Sequence, residues 1–142
     1  MTPRLPLLAT AVLLGGCSVD ATLRPPVQVD ATHYTFAYVV PAGAPREINH
    51  WVSLNADCSP SQPFVVRILQ PPVHGSAVVQ AGQFHVSYNT TNDRHACNLQ
   101  THPGVGLTYT PAPGYAGPDL LTISVINPHG RTWTTDFQLS VR

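Results

Sequence analysis

The sequence predicts an all-β protein, an antiparallel sandwich of seven to nine short strands. Three observations carry that expectation. Apolar and polar residues alternate at period two in run after run, the mark of half-buried strands. Fifteen prolines and ten glycines are spread along the 142 residues without a repeat, so turns punctuate the chain throughout. No helix-length window keeps a 3.6-residue period clear of Pro or Gly.

At the N-terminus one basic residue, Arg4, precedes an apolar stretch from Leu5 to Leu14. About ten apolar residues are too few to span a bilayer and suit the middle of a secretory signal. Leu14-Gly15-Gly16-Cys17 resembles the lipobox of bacterial lipoproteins. The resemblance implies cleavage before Cys17, acylation of Cys17 and attachment to the membrane through that lipid. Several acyl chains would anchor lastingly, at roughly 0.8 kcal/mol per buried CH2. Ser at position 18, where Asp would retain an enterobacterial lipoprotein, implies delivery to the outer membrane. The alternative is an ordinary cleavable signal in which the cysteine is incidental. On the lipoprotein reading, residues 1–16 are the signal peptide, 17–32 the lipidated cysteine with a flexible tether, and 33–142 the sandwich. The tether is polar and contains Pro25 and Pro26. A flexible segment of about 15 residues has an r.m.s. span of roughly 20 Å.

From His33 onward the two-residue period sets in. Tyr34, Phe36, Tyr38 and Val40 share one face of the first predicted strand, with Thr35 and Ala37 opposite. Ile48, His50, Val52 and Leu54 repeat the pattern, as do Phe64, Val66 and Ile68 around Arg67. A further run alternates Phe84, Val86 and Tyr88 with His85 and Ser87. Leu121, Ile123 and Val125 alternate with Thr122 and Ser124, and a last run sets Trp133, Phe137, Leu139 and Val141 against Thr134, Asp136, Gln138 and Ser140. Between the runs stand turn signals at Pro41-Ala42-Gly43, Ser59-Pro60-Ser61, Pro71 to Gly75, Ala81-Gly82, Pro113 to Gly117 and Asn127 to Gly130.

Three cysteines less the lipidated one leave Cys58 and Cys97, an even pair in an oxidising compartment, which are expected to form a disulfide. The alternative is a metal site using His95 and Cys97, two apart and so on one face of an extended strand. That site would have only two local ligands.

Two stretches carry a second resemblance. Val65 to Val78, with Pro71-Pro72-Val73-His74-Gly75 at its centre, is similar to the strand, Pro-x-His-Gly, strand hairpin of bacterial Ig-like and cadherin-like modules. Leu107 to Asp119, reading Tyr109-Thr110-Pro111 and then Gly114-Tyr115-Ala116-Gly117-Pro118-Asp119, looks like their tyrosine corner. The match runs from about Phe64 to Val141 and implies an Ig-like β-sandwich, a fold that serves spacers, adhesins and interaction domains alike. Within it, Gly114 and Gly117 would let the chain cross between sheets, Tyr115 would fill the end of the core, and Asp119 would bond backbone N–H groups in the corner. His74 is expected to cap its turn through a ring hydrogen bond. Closely spaced acidic residues are absent, so calcium binding is not carried over.

Composition narrows the function. Charged residues make up 10%, seven basic against seven acidic, which excludes an electrostatic nucleic-acid binder. A hydrophobic share of 43% excludes a disordered tail. No Gly-x-Ser-x-Gly elbow occurs, and Asp57, Asp93, Asp119 and Asp136 fall in different elements, so the reading is of a protein without catalysis or cofactor. The expected role is structural or interaction-based: an envelope lipoprotein that holds a partner protein near the outer membrane. A glycan- or peptidoglycan-binding module using Trp51 is the alternative. Trp51 falls on the opposite parity from Ile48 and Val52 and is expected to face outward, while Trp133 continues a core-facing run. Trp51 and His74 are the candidate ligand or partner contacts. A periplasmic metal binder is the third possibility, resting on seven histidines without a helix-type ligand spacing.

Overall fold

The computed structural model describes residues 32–142; the expected signal peptide, Cys17 and the expected tether lie outside the described residues. Seven strands follow in order: β1 (Thr32–Val40), β2 (Arg46–Val52), β3 (Val65–Gln70), β4 (Gly75–His85), β5 (Thr101–Pro111), β6 (Gly117–Ile126) and β7 (Thr132–Val141). A short 3-10 helix, His95–Leu99, precedes β5. The strands form two sheets, β1-β7-β6-β3 and β2-β5-β4, which face each other as a sandwich. All pairs are antiparallel except one: β1 runs parallel to β7 along its whole length, from Thr32 beside Trp133 to Val40 beside Val141.

The core lies where the alternation placed it. Leu121, Ile123 and Val125 of β6 meet Phe137, Leu139 and Val141 of β7, and the second sheet contributes Ile48, Leu107 and Tyr109. Every one of these is buried, each branched or aromatic side chain worth about 1.5–3 kcal/mol over its exposed state. Val40 closes one end of the core. Tyr34 and Phe36, on the same face of β1, remain 41% and 46% exposed, because β1 is an edge strand overhanging the core.

Three local expectations fail for identifiable reasons. The first concerns β2, whose pairing with β5 slips between Glu47 and Asn49. The bulge places Ile48 inside and then reverses the parity that simple alternation assigns. Asn49 pairs with core-facing Leu107 and Trp51 with Val105, while the His50 ring lies against Phe84. Trp51 is therefore half-buried against the core rather than outward, and His50 and Val52 do not share the face of Ile48.

The second concerns residues 81–88. Ala81-Gly82 is not a turn; β4 continues through it to His85. The Phe84 ring lies over three glycines, with a Cβ built at Gly82, Gly104 or Gly106 falling 2.8, 3.1 or 2.6 Å from it. His50 stacks on the same ring at 4.9 Å. Glycine here is a requirement of close approach, not of a turn. Past His85 the chain leaves the sheet, and the Asn98 side chain replaces a strand partner: its Oδ1 accepts from the Tyr88 N–H and its Nδ2 donates to the Tyr88 carbonyl.

The third concerns Pro71 to Gly75, expected as a hairpin turn. β3 and β4 belong to different sheets, so this segment is a crossing between layers. Its geometry is set by Asp119, as described below. The Cys58–Cys97 disulfide forms, tying the β2–β3 loop to the 3-10 helix. Cys58 has φ +66, and the Asp57 carboxylate steadies that left-handed turn by accepting from the Ser59 N–H at 3.0 Å and its hydroxyl at 2.6 Å. The Ser59 hydroxyl and then its amide hold the Asp57 carboxyl below its ordinary value.

Candidate functional site

Two constellations stand out, one structural and one open to solvent. The structural one joins the two resemblance stretches. Asp119, at the start of β6, accepts hydrogen bonds from the N–H groups of Val73 and His74, each at 2.9 Å, and from Leu120. The Tyr109 hydroxyl donates to it at 2.9 Å from across the sandwich. Burial works against the charge on Asp119, but the donors from Val73, Tyr109, His74 and Leu120 outweigh it and hold the carboxyl below its ordinary value. Burial first, then the neighbouring carboxylate, pushes the Tyr109 phenol up, so it stays a donor. Gly114 and Gly117, at φ +74 and +143, carry the chain from β5 into the other sheet. His74 differs from expectation: among the described residues its ring makes no hydrogen bond and instead stacks on Tyr115, with centroids 4.1 Å apart and planes within 8°. Backbone groups, not the imidazole, fix the turn, because Ala112 donates to the His74 carbonyl while Asp119 takes its N–H. The Tyr115 hydroxyl donates to the Pro118 carbonyl.

The open constellation is a cleft of about 380 Å³ between the edge of one sheet, β1, and the edge of the other, β2. Its walls are aromatic: Tyr34 and Phe36 from β1, Trp51 from β2, Phe64 just before β3 and Trp133 from β7. Phe64 meets Trp133 edge to face at 6.3 Å, and Phe36 stacks on core Phe137 at 6.1 Å, so the walls are braced from behind. Polar groups punctuate the lining at Asn49, Asn127, Thr135 and Arg131. Asn127 is fixed by its own turn, its Oδ1 accepting from the N–H of His129 and of Arg131. Among the described residues Arg131 is the one charged side chain in the lining.

Of the sequence-predicted contacts, Trp51 lies in this cleft and His74 at the opposite sheet junction; the structure does not bring them together. The cleft does bring together Trp51 and Trp133, which the sequence alone assigns to opposite sides. Tyr34, Phe36 and Phe64 are visible in the sequence as strand aromatics, but nothing in it shows that they face a gap rather than a filled core. Asn49 and Arg131 carry no sequence signal, and Asn127 is marked only as the start of a turn.

The histidines disperse. His33 reaches Thr134 at 2.8 Å and Asp136 at 3.0 Å, His50 reaches Glu47 and the His85 carbonyl, His95 reaches the Tyr88 carbonyl, and buried His102 reaches the Cys97 carbonyl. Among the described residues no three His, Cys, Asp or Glu side chains converge as metal ligands. Cys97 is committed to its disulfide, so it is not a partner for His95.

Fold and cleft define a two-sheet β-sandwich with an aromatic opening between its sheet edges. No protein-family model and no curated protein matches the chain. Among solved structures it is similar to a chain in the structure of PbICP-C in complex with falcipain-2, at 10% identity, covering 79% of this chain and 91% of that one, with a TM-score of 0.36.

Proposed function

We propose that the protein is a lipid-anchored envelope protein whose sandwich holds a partner protein through the cleft between β1 and β2. The aromatic cleft is the observation that carries this reading. Protein contact surfaces favour Tyr, Trp, Phe and Arg at their centres, and the lining combines all four. An Ig-like module suits the role, and the strand order supports that assignment: β2-β5-β4 against β7-β6-β3 follows the B-E-D and G-F-C pattern of an immunoglobulin sandwich. The lipobox-like Leu14-Gly15-Gly16-Cys17 supports an anchor at Cys17, in the outer membrane by the Ser18 rule.

Two experiments test the parts separately. Replacing Cys17 with Ala is expected to move the protein from the membrane pellet to the soluble fraction; retention in the pellet would refute the anchor. A photocrosslinker at Phe36 in intact envelopes is expected to give one discrete protein adduct that the Trp51→Ala variant loses. An adduct unaffected by that change would remove the cleft from the interface. A second reading, glycan binding, is favoured by one observation: the amides of Asn49 and Asn127 lie beside Trp51 and Trp133, a combination suited to a sugar ring. Sedimentation with purified peptidoglycan, lost in the Trp51→Ala variant, would support it in place of the protein partner.

A further inference from the structure

The cleft carries a more specific inference, which rests on the protein-partner reading above. We propose that its ligand is an extended acidic segment of a different protein, which adds a strand to the free edge of β1, seats an apolar side chain among Tyr34, Phe36 and Trp51, and sets a carboxylate on Arg131. Three observations lead there. β1 is hydrogen-bonded to β7 on one side and has no strand on its other side among the described residues; the Arg46 guanidinium caps the Val39 carbonyl at one end, and the backbone donors and acceptors before it face the mouth of the cleft. An added strand would point alternate side chains into the sandwich gap, where Tyr34, Phe36 and Trp51 line an unfilled apolar surface. Arg131 supplies the charge selection. Among the described residues no acidic side chain lines the cleft, and the Arg131 guanidinium has neither an ion-pair nor a hydrogen-bond partner. A planar fork left in that state fits a carboxylate in two-point fashion.

The same observations select among occupants. A sugar does not use a row of strand-spaced backbone groups. Among the described residues a second copy of this chain offers no such strand, because the edge strands β1, β3 and β4 contain no acidic residue and the one on β2, Glu47, is taken by His50 at 2.6 Å.

The test uses two short acetylated and amidated peptides on the mature chain carrying Cys17→Ser. Both have threonine at alternate positions; the other face reads phenylalanine, glutamate, phenylalanine in one and phenylalanine, lysine, phenylalanine in the other. The glutamate peptide is expected to bind about tenfold tighter or more, to slow amide exchange in β1 and to shift the Trp51 indole resonance. Arg131→Glu, at an exposed position, is expected to reverse the preference, and Arg131→Gln to erase it. Equal affinities, an unreversed order in Arg131→Glu, β1 amides left unprotected, stronger protection by a chitin-type oligosaccharide, or no binding because residues 17–31 already fill the cleft would each overturn the inference. Persistence of the Trp51-dependent crosslink alongside any of these would leave a protein partner at the cleft and remove only its acidic, strand-adding character; loss of that crosslink would remove the partner reading itself.

Discussion

Asp119 shows how much one side chain can hold. It joins the Val73–His74 crossing, the start of β6 and the Tyr109 hydroxyl of β5, so both sheets and the layer crossing meet at one carboxylate. Asp119→Asn keeps one oxygen but turns an amide NH2 toward donors that need an acceptor. A cost of about 2 kcal/mol is expected in urea denaturation followed by tryptophan fluorescence. The pH dependence has a definite sign. The folded carboxyl lies below its ordinary value, so its contribution is complete above the unfolded value, roughly pH 4, and is lost as the pH falls through the folded value. Wild-type stability is therefore expected to drop more steeply than that of Asp119→Asn between about pH 5 and pH 2. Parallel slopes for the two proteins would show that the carboxylate is not the acid-sensitive group. Tyr109 acts at the other end: its raised phenol is neutral when folded, and its contribution is lost only as alkali ionises it.

At the scale of elements, the glycines of β5 and the ring of Phe84 form one unit. Gly106→Val sets a branched side chain where the ring lies, 2.6 Å from its tip, and must displace it from both the strand and His50. The expected cost is about 1–2 kcal/mol. In a Phe84→Ala background the same valine meets no ring and is expected to be neutral or better, since β-branched residues suit strands. A double-mutant cycle with no coupling would show that the ring does not shape β5. The loop between β2 and β3 depends instead on its covalent tie. Cys58 and Cys97 are 39 residues apart, so on a chain-entropy account reduction is expected to destabilise the domain by about 4 kcal/mol. Thermal melts with and without reductant check this, and coincident curves would contradict it.

Over the whole molecule, the sandwich carries an open cleft on its β1–β2 side, where five aromatic residues line the gap. Trp51→Ala and Phe36→Ala are expected to lower thermal stability by no more than about 1–2 kcal/mol each, because both side chains are only partly buried. Loss of the partner crosslink in a variant that still melts cooperatively would separate binding from folding.

The fold class, the core strands β6 and β7 and the disulfide pair were legible in the chain, because each rests on local period or on cysteine parity. The corner around Asp119 was half legible: its glycines and acid stand in one stretch, but the turn they clamp lies 45 residues away. The β2 bulge was not legible, since one extra residue reverses every side chain after it and the slip is decided by what β5 opposes. Nor was the cleft. A strand's pattern tells which face avoids water; whether a partner layer comes close enough to cover that face depends on where two sheets diverge, and that is a property of their packing rather than of either strand.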